Sequence, residues 1–101
     1  MSANKPLKVV LCWHMHQPQY WDWEGGVYQL PWTYLHAIKD YIDMAAIIEA
    51  DPGARAVVNF APILLEQLDD YSQQIHGYLR DNTPLRDPLL MALAKIGRAH
   101  V

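Results

Sequence analysis

The chain is poor in cysteine, in positive charge and in long apolar runs. Its single cysteine, Cys12, has no partner for a disulfide within the chain and suits a reducing compartment. Inside an apolar run it reads as a small buried hydrophobe rather than a reactive thiol. Lys and Arg number 8 against 11 Asp and Glu, for a net charge of −3. Contacting a phosphate backbone needs clustered Lys and Arg, so nucleic acid is not expected as a partner. No stretch approaches the roughly 20 apolar residues of a membrane span, so no membrane partner is expected either. The run Val9–Trp13 is too short for a signal-peptide core and no small-residue cleavage pattern follows it, which makes cytoplasmic the expected location.

What is present is ordinary for a soluble globular domain: 101 residues, 51% hydrophobic and 19% charged. A chain of this length buries roughly 60–70% of its unfolded surface, enough for one core. Leu7 to His14 is a short, nearly continuous apolar run, which favours a strand covered on both faces, as in parallel sheets. Residues 15–31, with Pro18, Gly25-Gly26 and Pro31, read as a long loop, and loops above about 12–15 residues tend to be functional. Trp32 to Ala50 reads as a helix with Leu35, Ile38, Ile42, Ala45 and Ile48 on its apolar stripe, ended by Asp51-Pro52-Gly53. Arg55 to Ala61 is a second buried-strand candidate. Pro62 opens a second helix running to Tyr78 or Leu79, with Ile63 or Leu64, Leu68, Tyr71 and Ile75 on its stripe. Asp81-Asn82-Thr83-Pro84 breaks the chain, and Asp87 is placed to cap a third helix, Leu89 to Lys95.

Strands alternating with helices in this way argue for parallel βα units in an α/β fold. Two strands alone leave their edges unpaired, so the expectation is the first part of a larger domain, residues 1–95. Ile96 to Val101 resembles a translated sequencing adapter, so 96–101 are expected to be a non-native tail and His100 to carry no chemistry.

The chemistry concentrates in Trp13-His14-Met15-His16-Gln17-Pro18. Side chains two apart on a strand share a face, so His14 and His16 project together at its C-terminal end, where βα proteins build their sites. Pro18 has no N–H to donate and turns the backbone out of the ladder. Two imidazoles are too few for a metal site, and neither metal nor cofactor is expected; hydrogen bonds to a polar substrate, with the Gln17 amide beside them, suit the pair better. All four tryptophans, Trp13, Trp21, Trp23 and Trp32, fall between positions 13 and 32, with Tyr20 and Tyr28 among them. Flat amphipathic rings interleaved with Asp22 and Glu24 suit a ligand with apolar faces and a polar rim, such as a sugar ring. Asp22 and Glu24 themselves have no visible means of fixing their separation or raising one pKa, as acid/base work requires. Asn59, near the end of the second strand, is a candidate floor residue.

Three blocks carry a family likeness: Trp13 to Pro18, Leu30 to Tyr41, and Val58 to Leu68 with Asp70-Tyr71. In this order and spacing they resemble the N-terminus of glycoside hydrolase family 57, whose members include α-amylases, 4-α-glucanotransferases, branching enzymes and amylopullulanases. The resemblance implies an incomplete (β/α)7 barrel acting on α-glucans or malto-oligosaccharides by a retaining mechanism, with a glutamate nucleophile and an aspartate acid/base. It places both carboxylates in motifs beyond residue 101, so that the chain alone is expected to be inactive. His16-Gln17-Pro18 matches the family's first motif, whose histidine is associated with sugar binding. The expected substrate-binding residues are therefore His14, His16, Gln17, Trp21, Trp23, Trp32 and Asn59. Two other readings stay open: a metal-dependent polysaccharide deacetylase or α-mannosidase-like barrel, and a non-catalytic carbohydrate-binding module. The deacetylase reading lacks the aspartate such sites need on an early strand end. The binding-module reading conflicts with helices between the strands.

Overall fold

A computed structural model describes residues 5–99. In chain order the elements are β1 (Cys12–Met15), β2 (Trp21–Asp22), β3 (Val27–Tyr28), α1 (Trp32–His36), a π-helical turn (Ala37–Tyr41), α2 (Ile42–Ala50), β4 (Val57–Phe60), α3 (Pro62–Asp81) and α4 (Pro88–Ala99). β1 and β4 pair in parallel, with His14 opposite Asn59 and Met15 opposite Phe60. Parallel neighbours need a crossover connection, and residues 16–56 supply it. Bonds from Val57 N–H to the Leu11 carbonyl and from Ala61 N–H to the Met15 carbonyl frame the ladder. Among the described residues the result is mixed α/β with two small sheets and no closed barrel.

Alternation along β1 gives the sheet two unlike faces. Met15 turns to one face and forms the core with Ala61 and Leu64, with Trp13, Tyr41, Met44 and Leu68 packed around it. Cys12 and His14, aligned with Val57 and Asn59, turn to the other face, which no described helix covers. The molecule is accordingly extended, with a radius of gyration of 19.0 Å, against the roughly 13 Å of a closely packed chain of 100 residues.

The helices start and stop where the sequence marks them. Pro62 sits in the first turn of α3, where its missing N–H would be unsatisfied anyway. Asn82 takes the left-handed conformation (φ 58°) that closes the last turn. Asp87 caps α4, its Oδ1 accepting the N–H groups of Leu89 and Leu90 at 3.1 Å each.

Several expectations are corrected. The first strand is Cys12–Met15 rather than Leu7 to His14, because β4 begins at Val57 and offers residues before Leu11 no ladder partner. Leu7, Val9, Val10 and Leu11 are exposed, as is every residue of β4, so neither strand is covered on both faces among the described residues. Cys12 is exposed for the same reason. The loop at 15–31 contains the β2–β3 hairpin, Trp21 opposite Tyr28. Leu35, Ile38 and Ile42 point outward, and the packed side chains of this helical stretch are Thr33, Tyr41 and Met44. The π turn adds a residue to the helical repeat and shifts the stripe that a regular 3.6 period projects. On α3 the buried residues are Leu64, Gln67, Tyr71 and Tyr78, while Leu68 is only partly buried and Ile63 is exposed. α4 runs on to Ala99, past Lys95, and residues 100–101 lie outside the described part.

Candidate functional site

His14, at the C-terminal end of β1, bonds through Nδ1 to Oδ1 of Asn59 on β4 at 2.8 Å. An amide oxygen only accepts, so Nδ1 carries the proton and Nε2 of the neutral ring is left as an acceptor. The His16 ring stacks on that of His14, with centroids 5.7 Å apart and planes 16° from parallel. The three side chains form one polar cluster at the open end of the parallel pair, on the face opposite the helices. Gln17 does not join them. Its Nε2 donates to the Tyr41 hydroxyl at 3.1 Å and its Oε1 accepts from the Tyr20 hydroxyl at 3.1 Å, so the amide ties the strand exit to the π turn. From the end of α1, His36 Nδ1 meets Asp40 Oδ2 of that turn at 2.5 Å, which makes this pair a local helix contact.

The hairpin is rigidly mounted. Asp22 bends its tip by accepting the Glu24 N–H at its side chain and the Gly26 N–H at its backbone carbonyl, and Gly26 supplies the positive φ of 66°. That role makes Asp22 a turn former and leaves Glu24 exposed at the tip. Tyr28, on the return strand, stacks on Tyr71 of α3 at 4.4 Å and donates its hydroxyl to Asp70 at 2.6 Å. Its backbone N–H bonds to the Arg86 carbonyl. Tyr71 in turn donates to Asp87 Oδ2 at 2.5 Å. Burial, then the carboxylate acceptor, holds both tyrosine hydroxyls far above the ordinary tyrosine value, so both stay protonated.

Between the hairpin and α3 lies an open cleft of about 290 Å³. Trp21 and Trp23 meet edge to face (6.3 Å, 82°) on one side. Glu66, Asp69, Asp70 and Gln73 of α3 line the other, and Gln19 and Arg86 complete the lining.

The residues expected to contact substrate thus fall in separate places. His14, His16 and Asn59 are together; Trp21 and Trp23 are together in the cleft; Gln17 is in neither group, its amide bonded to Tyr41 and Tyr20. Trp32 is exposed at the start of α1 and outside the cleft. Sequence reasoning missed the pairing of Tyr28 with Asp70 and of Tyr71 with Asp87, and the place of Arg86 beside the hairpin, because these partners stand far off in the chain. Among the described residues no group of three or more His, Cys, Asp and Glu could hold a metal ion, and no helix is long and apolar enough to cross a membrane.

The described elements are mixed α/β, with two histidines at the end of a parallel strand pair. Residues 10–83 match the model of Glycosyl hydrolase family 57, and the chain belongs to that family. No curated protein and no solved structure matches it.

Proposed function

We propose that the chain forms the first βα units of an incomplete (β/α)7 barrel, in a retaining enzyme that hydrolyses or transfers α-glucan. The observation that carries this reading is the His14–Asn59–His16 cluster. It stands at the C-terminal end of parallel strands, on the face turned away from the helices, with an imidazole Nε2 left to accept a sugar hydroxyl. In this reading residues 1–95 supply sugar contacts. The glutamate nucleophile and aspartate acid/base, whose carboxyl groups stand about 5–5.5 Å apart in retaining enzymes, come from other segments of the intact protein.

The test is His16→Ala in the intact protein, assayed on malto-oligosaccharides. Removing one hydrogen bond in a polar site should lower kcat/KM by about 1–3 kcal/mol, roughly 5- to 150-fold. Unchanged kinetics would remove the substrate-contact role.

A further inference from the structure

The cleft between the hairpin and α3 contains none of the strand-end cluster, and its chemistry is distinct. Trp23 is 75% exposed and its only ring contact among the described residues is the edge of Trp21. That leaves the indole face open for a ligand to stack on. The platform is also preorganised. Trp21 stands edge-on to buried Tyr28 (4.9 Å, 70°), and Tyr28 is fixed to α3 by its stack on Tyr71 and its bond to Asp70. The rings therefore keep their position relative to the helix before any ligand arrives, which lowers the ordering cost of binding.

The opposite wall selects the ligand. Glu66, Asp69 and Gln73 recur at three- and four-residue spacing, which lines them up along one side of α3. Glu66 makes no hydrogen bond among the described residues, and Asp69 has one oxygen engaged by Gln73 Nε2 at 2.7 Å. Gln19 accepts the Trp21 N–H with its oxygen, which leaves its amide N–H groups as donors. Three carboxylates, Glu66, Asp69 and Asp70, face one guanidinium, so an anionic ligand is repelled. Arg86 already sets its guanidinium 5.9 Å from the Trp21 ring centre, so the place of a cation on that ring is taken within the protein itself. A neutral polyol with C–H faces uses every part of the cleft: rings for its faces, carboxylates for its hydroxyl protons, amides and guanidinium for its oxygens.

We infer that this cleft is a saccharide subsite separate from the histidine cluster, with one sugar ring against Trp23 and Trp21 and its hydroxyls on Glu66 and Asp69. The inference rests on the proposed α-glucan reading for the identity of the sugar, though not for the existence of the site. The experiment measures dissociation constants of the intact protein for maltose through maltoheptaose, and for cellohexaose and xylohexaose, by calorimetry. Trp23→Ala and Glu66→Gln are the variants. Both side chains are exposed, so melting temperatures should match wild type and a lost affinity is then a lost contact.

Trp23→Ala should weaken maltoheptaose binding on the order of tenfold. Glu66→Gln should weaken it about threefold or more. Wild-type affinity for maltoheptaose in both variants overturns the subsite and leaves the α-glucan reading standing. Trp23-dependent binding of cellohexaose or xylohexaose without maltoheptaose binding overturns the α-glucan reading and keeps the subsite. Preferential binding of tetramethylammonium over every saccharide refutes the inference outright.

Discussion

Replacing Asp87 by alanine should open the start of α4 while leaving most of the molecule intact. Asp87 is 1% exposed and uses both oxygens: Oδ1 accepts the Leu89 and Leu90 N–H groups, and Oδ2 accepts the Tyr71 hydroxyl. Loss of an N-cap costs about 1 kcal/mol. Stranding a buried hydroxyl costs about 1–3 kcal/mol more. The two losses involve different oxygens and add, to about 2–4 kcal/mol. At 1.4 kcal/mol per tenfold, opening of this region becomes on the order of 30- to 1000-fold more frequent. Hydrogen exchange of the intact protein, read by mass spectrometry on peptides spanning Leu85 to Met91, measures this directly. Asp87→Asn keeps a capping oxygen and should accelerate exchange by only about tenfold. Tyr71→Phe leaves the cap in place but strands Oδ2 of the buried Asp87, so it should accelerate exchange of the Leu89 and Leu90 amides by roughly 5- to 150-fold, less than Asp87→Ala. Exchange in Asp87→Ala within threefold of wild type would refute the double role, and equal damage from Asp87→Asn would refute the cap.

The protein should also weaken at alkaline pH in a way that reports the two buried tyrosines. The unfolded chain releases these protons near pH 10 and the fold does not, since Tyr28 and Tyr71 are held well above that value. The unfolded state therefore binds fewer protons above pH 10, so stability is fully present below it and falls above it by about 1.4 kcal/mol per tyrosine per pH unit. Urea titrations at pH 9, 10 and 11 check this, Tyr71→Phe should halve the slope, and a flat profile would contradict it. Residues 1–101 expressed alone should bind an apolar dye and melt broadly, because Val9, Val10, Leu11, Val57, Val58 and Phe60 are all exposed. A sharp melt of a dye-free monomer would contradict that.

What the sequence makes legible is what local chemistry encodes. The parallel pairing follows from two β-branched runs separated by a helical stretch, and Asp87-Pro88 and Asn82 announce their helix ends by residue type. The Gly25-Gly26 pair between Trp21-Asp22 and Val27-Tyr28 is a hairpin signal, overlooked in favour of a featureless loop because each strand is only two residues long. The partners of Tyr28 and Tyr71 leave no such trace. Tyr28 meets Asp70 across 42 positions and Tyr71 meets Asp87 across 16, distances at which no periodicity operates. The π turn is equally silent, since its residues are ordinary helix formers. For the site, the histidine pair and the aromatic cluster are visible as composition. Their separation into two places is a fact of packing alone.

One helix explains that separation. Gln67, Asp70, Tyr71 and Gln74 recur on α3 at three- and four-residue spacing, where a reading for apolar periodicity looks for core. Gln67 donates to the Pro18 carbonyl at 2.9 Å and accepts from Thr33, so it fixes the chain just after His16. Asp70 accepts from both Tyr28 and Gln74, and Gln74 accepts the Arg86 N–H at 2.6 Å, so together they fix the hairpin and the approach to α4. α3 begins immediately after β4, and Ala61 ties its start to Met15, so its direction is set by the strand that carries Asn59. The polar stripe of α3 thereby holds the strand-end histidines on one side and the tryptophan platform on the other at a fixed spacing. In the proposed reading both would contact sugar, and a fixed spacing between them is what recognition of a chain, rather than of a single sugar, requires.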